Sequence, residues 1–137
     1  SPGIDDVLEV ARRARRDGRP ALEDPAIRDQ LVRFMIEDQG DRLTAKRGEI
    51  AALCNERPSA IGLSAKLRVT EHRRRLMQFA ISLQGANAVR FVGDSAAVDG
   101  GKWQRAYFNS FSSTIGGGTS QIQGNIVGER VLGLPKD

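Results

Sequence analysis

The run SSTIGGGTSQIQ from Ser112 to Gln123 holds the residues of this sequence best suited to chemistry. Three consecutive glycines, Gly116, Gly117 and Gly118, can adopt backbone conformations closed to other residues, so main chain there can approach a ligand closely. Thr119 then caps a helix whose first amides lack intrahelical partners and whose dipole is positive at that end. Such an end suits a phosphate or the polar edge of a cofactor. Glycine-rich turns before helices also serve as plain connections, so ligand binding and simple chain reversal both stand at this point.

The arginines offer a second chemistry. Arg12, Arg13, Arg15, Arg16 and Arg19 crowd the end of the first predicted helix, and Arg73, Arg74 and Arg75 follow one another on the third. A guanidinium fork donates two bonds at once to phosphate, but a helix C-terminus also favours cations for its own sake. A solvated face therefore carries more weight than phosphate contact. Nucleic acid carries least, because aromatic residues are only 5% of the chain and offer no base-stacking platform. His72, on an apolar stripe, reads as a core or interface residue before it reads as a catalyst. Cys54 has no basic neighbour that the sequence identifies and reads as an inert thiol. With one cysteine and one histidine, an intramolecular disulfide and a Cys- or His-rich metal site are excluded.

These residues must be held by helices. Ile4, Val7, Leu8 and Ala11 recur at helical spacing, predicting a helix over residues 4–17 that Gly18 stops. Asp24-Pro25 starts a second, running to about residue 55, with Ile27, Leu31, Phe34, Met35, Leu43, Ile50 and Leu53 as its apolar positions. Gly40 and Gly48 within it suggest a kink or a close helix contact. After a break at Glu56–Ser59, a third helix to Gln84 places Ile61, Ala65, Val69, His72, Leu76, Phe79 and Leu83 on one face. Residues 86–102 are looser, with turn chemistry at Asp99-Gly100-Gly101. A fourth helix spans Lys102 to about Ser113, and a last one begins after Thr119. No segment alternates as a strand does. The expected fold is all-α: an antiparallel four-helix-type bundle with a short extra C-terminal helix, one domain over residues 1–137. The stripe bearing His72 and the 43–53 stripe present more apolar surface than one small bundle buries, which predicts self-association.

Composition agrees with a globular domain. Apolar residues are 39% and charged residues 28%, and 21 Lys+Arg against 17 Asp+Glu leave a mild net charge of +4. No apolar run approaches the ~20 residues of a membrane span, and no secretory signal opens the chain, so a cytoplasmic location is expected. Ser1 in place of Met suggests processing or a piece of something larger.

The stretch TIGGGTSQIQGNIVGERVLGLP, from Thr114 to Pro135, resembles the closing signature of the acyl-CoA dehydrogenases, and the WQRAY segment from Trp103 to Tyr107 resembles a bacterial branch of that family. The order of helices agrees over all 137 residues, which correspond to the C-terminal helical domain, about the last third of a typical member. The resemblance implies oxidation of an acyl-CoA to a trans-2-enoyl-CoA: a base removes the alpha proton, FAD accepts a hydride from the beta carbon, and electron-transfer flavoprotein takes the electrons. It also implies an oligomer, homo- or hetero-, in which this bundle forms the core and touches a neighbouring subunit's FAD.

Carried over residue by residue, the resemblance makes Thr119 and Gln121 FAD contacts. Gly85 matches the family's Gln-x-x-Gly-Gly element, written here as Ser82-Leu-Gln-Gly-Ala86 with departures at Ser82 and Ala86. The family arginine that meets the FAD pyrophosphate has no single counterpart here: Arg13, Arg15 and Arg16 all stand close, with Arg16 the candidate. The usual catalytic Glu is replaced by Gly117, which has no proton acceptor, and Gly124 stands where arginine is common. In another branch the base comes from an earlier helix, expected upstream of Ser1. No catalysis is expected of this chain in isolation. A non-catalytic structural subunit of a hetero-oligomeric acyl-CoA dehydrogenase is the alternative.

Overall fold

The computed structural model describes residues 2–54 and 60–136. Among them the chain folds into five α-helices: α1 (Ile4–Arg13), α2 (Pro25–Gly48), α3 (Ala60–Ser82), α4 (Lys102–Ile115) and α5 (Ser120–Arg130). The all-α architecture expected from the helical periodicity is the one observed. Helix α3 is its hub and packs against each of the other four.

The core lies around the C-terminal half of α3. Leu76, Met77, Phe79, Ala80 and Leu83 are buried there with Val7, Val10 and Ala11 of α1, Ile27 and Leu31 of α2, and Trp103 of α4. Local sequence explains the starts of α1 and α2. The Asp6 carboxylate accepts from the Gly3 amide at 2.9 Å, ahead of α1, and Asp24 accepts from the Ala26 amide at 2.8 Å, ahead of Pro25 in α2. Asp5 and Asp6 in the first turn of α1, with Arg12 and Arg13 in its last, complement the helix dipole.

The first two helices end earlier than expected. The first helix ends at Arg13, not residue 17. A two-residue strand β1 (Arg15–Arg16) pairs antiparallel with β2 (Arg19–Pro20), with Arg16 opposite Arg19. Asp17 and Gly18 turn between them at φ 51° and 76°, the left-handed pair that an Asp-Gly hairpin turn requires. Helix α2 ends at Gly48 and yields to a 3-10 turn over Ala51–Leu53, instead of running to 55. A Cβ at Gly40 or Gly48 would meet nothing within 4 Å, so neither marks a close helix contact. The looser segment before α4 is two 3-10 turns, Gly85–Val89 and Val98–Gly101. The break expected at 56–59 and the Ile61 side chain lie outside the described residues.

The apolar stripes are only partly internal. His72, Leu76, Phe79 and Leu83 are buried as their spacing predicts, while Val69, Met35, Leu43, Ile50 and Leu53 are exposed. Helix α5 contributes no buried residue.

Candidate functional site

The residues predicted to hold a cofactor fall at two ends of α3. Lys66 and Ser82 are sixteen positions apart, about 24 Å at the helical rise.

At the Ser82 end, Arg16 sits on β1 and its guanidinium reaches the Ser82 carbonyl at 3.5 Å. The hairpin, not a helix, brings it there. Gly85 follows at φ 57°, with nothing within 4 Å of a Cβ built on it. Beside it the buried Gln104 amide donates to Gln84 Oε1 at 2.7 Å and to the Ala88 carbonyl at 3.0 Å, tying α4 to the end of α3. Arg13 forks onto Asp99 at 3.1 and 3.0 Å, and the Trp103 indole donates to Asp99 Oδ2 at 2.8 Å. The first arginine cluster is thus largely engaged within the chain: Arg12 with Glu9, Arg13 with Asp99, Arg15 with the Gly18 carbonyl at 2.7 Å, and Arg19 with Glu23 at 3.3 Å.

The Arg13 bonds, then that of Trp103, hold the Asp99 carboxyl below the usual carboxylate range against the opposing effect of its burial. A depressed folded-state pKa stabilises above the unfolded value of about 4, and that stability is lost as pH falls through the lower folded value. Asp99→Asn is therefore expected to cost about 2 kcal/mol at pH 7 in urea unfolding, where the charged pair is lost. Below about pH 4 the gap should shrink, because the wild type then loses the same interaction. A gap independent of pH would contradict this assignment.

At the other end, the α4–α5 connection carries Gly117 and Gly118 at φ 71° and 108°. The Thr119 hydroxyl accepts from the Ile122 amide at 3.3 Å, capping α5 as its sequence predicts. The Gln123 side-chain amide donates to the Gly117 carbonyl at 2.9 Å, and the Lys66 ammonium of α3 donates to the Gly118 carbonyl. The Ser120 hydroxyl donates to Glu71 Oε1 at 2.5 Å. That bond and the fork of Arg74 hold the Glu71 carboxyl below its usual range. Gln121, one position into α5, is exposed. The amides of Ser120 and Gln121 belong to the first turn, which leaves them without intrahelical partners. A polar or anionic cofactor edge fits such a terminus.

Thr119 and Gln121 are therefore together, Arg16 and Gly85 are together, and one chain does not bring the two pairs to one pocket. A groove of about 380 Å³ between α2 and α3, lined by Phe34, Glu37, Arg75 and Ser82 among others, includes none of the four. His72 borders a second groove between the same helices. Its Nδ1 lies 2.9 Å from Glu37 Oε2, both oxygens of that carboxylate take the Arg75 fork, and its ring meets Phe34 edge-on at 5.7 Å. It is a packing residue, as its place on the stripe suggested. Cys54 is half-buried beside the Arg47 and Gly48 carbonyls. Among the described residues no group of three or more His, Cys, Asp or Glu could hold a metal, and no helix is long and apolar enough to cross a membrane.

Sequence reading missed Lys66, Glu71 and Asp99. Lys66 and Glu71 meet the glycine turn across 52 and 49 residues, and Asp99 meets Arg13 across 86. Nothing local announces contacts so distant. The turn signal at Asp99-Gly100-Gly101 placed Asp99 in a bend without naming its partner.

Comparison with known proteins extends this picture. The family model described as "Acyl-CoA dehydrogenase, C-terminal domain" matches residues 2–132. Acyl-CoA dehydrogenase IpdE1 of Mycolicibacterium smegmatis is 36% identical over 131 residues, covering 96% of this chain and 30% of that protein. The solved steroid ACAD Tcur3481–Tcur3483 superposes with a TM-score of 0.79 at 25% identity, over 98% of this chain and 34% of that one. The ChsE4–ChsE5 complex from Mycobacterium tuberculosis shares the fold, with a TM-score of 0.79 at 23% identity over 98% of this chain and 35% of that one. The chain spans about a third of the length of these relatives. With a helical bundle of this form and a family match over nearly its whole length, the chain belongs to the acyl-CoA dehydrogenases, as their C-terminal domain.

Proposed function

We propose that this chain is the FAD-contacting and oligomerisation domain of an acyl-CoA dehydrogenase, which oxidises acyl-CoA to trans-2-enoyl-CoA with FAD as hydride acceptor and electron-transfer flavoprotein as the electron sink. The observation that carries the reading is the Gly116–Gly118 turn leading into the Thr119-capped α5, whose first amides and exposed Gln121 form a polar edge. FAD, when bound, supplies the hydride-accepting chemistry. Thr119, Gln121 and the α5 terminus would hold one part of it, and Arg16 with Gly85 would meet another copy's cofactor. Candidate residues gathered near Lys66 and near Ser82, positions about 24 Å apart along α3, suit a cofactor shared between subunits better than one within a subunit. The exposed Met35, Leu43, Ile50 and Leu53 supply apolar surface for that assembly.

A second reading is favoured by Gly117. No carboxylate stands there, so this position removes no proton. The chain would then belong to a non-catalytic subunit paired with a different, catalytic one; the neighbour Tcur3481–Tcur3483, a steroid ACAD, carries two chain names.

The intact protein separates the readings. Yellow flavin bound by the protein alone, with acyl-CoA-dependent dye reduction, is the outcome expected of the first. Flavin binding and turnover only after a second chain is added would establish the second. Residues 1–137 alone are expected to turn over no acyl-CoA, since the motif carboxylate is missing; any turnover by them would overturn the assignment of Gly117.

A further inference from the structure

The polar ties between α3 and the glycine turn are unusual in how much rests on them. Helix α5 places no side chain in the buried core or packed against it, so apolar burial does little to fix where it begins. Gly117 and Gly118 impose no side-chain restriction on the connection. Of the two side chains that take their carbonyls, Gln123 is on α5 itself and moves with it, whereas Lys66 is on α3. Among the described residues, Lys66 and the Glu71–Ser120 bond are polar links from α3 to the start of α5, added to the packing of the two helices. Lys66 has a second relation to the turn. A Cβ built on Gly117 would stand 3.8 Å from Lys66 Cε, in ordinary contact with the lysine stem and within a side chain's reach of its ammonium.

We propose that Lys66 is a positioning residue for the turn that presents Thr119 and Gln121, and that its ammonium faces the position where a carboxylate base on residue 117 would stand. The first half rests on the α3–α5 geometry alone; the second rests also on reading Gly117 as the vacated base position. An ammonium close to a carboxylate favours its charged form and lowers its proton affinity. A base so paired is a weak one. Two residues, not one, then set this turn apart from proton abstraction: glycine removes the acceptor, and lysine would weaken any carboxylate put back.

Two measurements on the intact protein test the two halves. In hydrogen exchange read by mass spectrometry, Lys66→Met should speed exchange of the amides over residues 116–123 about tenfold, as expected for losing one charge-assisted bond, while α1 is unchanged. Lys66→Arg should keep most of the protection. Equal exchange in wild type and Lys66→Met would overturn the positioning role. In the second, Gly117→Glu treated with a water-soluble carbodiimide should form an amide between residues 66 and 117, with loss of one water, found as a cross-linked peptide. Gly117→Glu with Lys66→Met should not form it. Absence of the cross-link from the single variant would overturn the facing of charge. Gly117→Ala carries the same left-handed strain and serves as the folding control. Neither readout involves flavin or turnover, so each can fail or succeed independently of the proposed function.

Discussion

Trp103→Ala is expected to destabilise the domain by about 4 kcal/mol, the largest single effect predicted for this chain. Trp103 is the sole tryptophan and its side chain is fully buried where α4 meets the core of α1, α2 and α3. Truncation removes the largest side chain of that core and leaves a cavity that the remaining core side chains fill only in part. It also removes the donor at 2.8 Å from Asp99 Oδ2, leaving that carboxylate to its arginine fork and the Lys102 ammonium at 3.9 Å. Trp103→Phe separates the contributions. It keeps most of the apolar volume and loses the N–H, so it should cost about 1–2 kcal/mol. Urea unfolding followed by circular dichroism measures both, since the fluorescent probe itself is lost. A loss below about 1 kcal/mol in Trp103→Ala would mean that the indole is not the keystone of the core.

Gly101→Ala is expected to cost about 3 kcal/mol, although it adds one methyl group. Gly101 is the N-cap of α4, left-handed at φ 78°, and it is buried. A Cβ there would lie 2.5 Å from the Val92 nitrogen, 2.8 Å from the Phe91 carbonyl carbon and 3.0 Å from the Val92 Cα. All three are main-chain atoms, so no rotamer change relieves the clash. The left-handed conformation contributes about 1–2 kcal/mol of this and the overlap the rest. The adjacent Gly100 is the control. It is also left-handed, at φ 65°, but a Cβ on it meets nothing within 4 Å. Gly100→Ala should therefore show only the conformational share, about 1 kcal/mol. Equal losses at the two positions would show that backbone strain, and not the close approach of residues 91–92, governs this corner.

Both effects concern the corner that joins the end of α3 to α4, and the same corner orients Arg13, Asp99 and the Gln84–Gln104 pair beside Gly85. Loosening it should disturb the Arg16–Gly85 end of the candidate cofactor surface while leaving the Thr119 end to its ties on Lys66 and Glu71.

Much of the domain was legible in the chain. The α1 stripe of Val7 and Ala11, the Asp24 cap with its following proline, and the Thr119 cap after three glycines all act within one helical turn. Such short-range rules need no knowledge of the rest of the molecule. The buried spacing of His72, Leu76, Phe79 and Leu83 followed for the same reason. The hairpin at Asp17-Gly18 was also a local signal, but the run of arginines masked it with a helix-compatible composition, and helix was assigned past Arg13.

What the amino-acid order determined by itself, then, was where α1, α2, α4 and α5 begin, which faces of α1 and the second half of α3 turn inward, and that residue 117 carries no base. Only the tertiary structure decided that Leu43 and Met35 stay outside, that the candidate cofactor residues divide between two ends of α3, and that Lys66 and Glu71 grip the glycine turn. Capping and periodicity are set by neighbours a few residues away. Burial and the pairing of distant charges depend on which helix packs against which, and no window of sequence contains that.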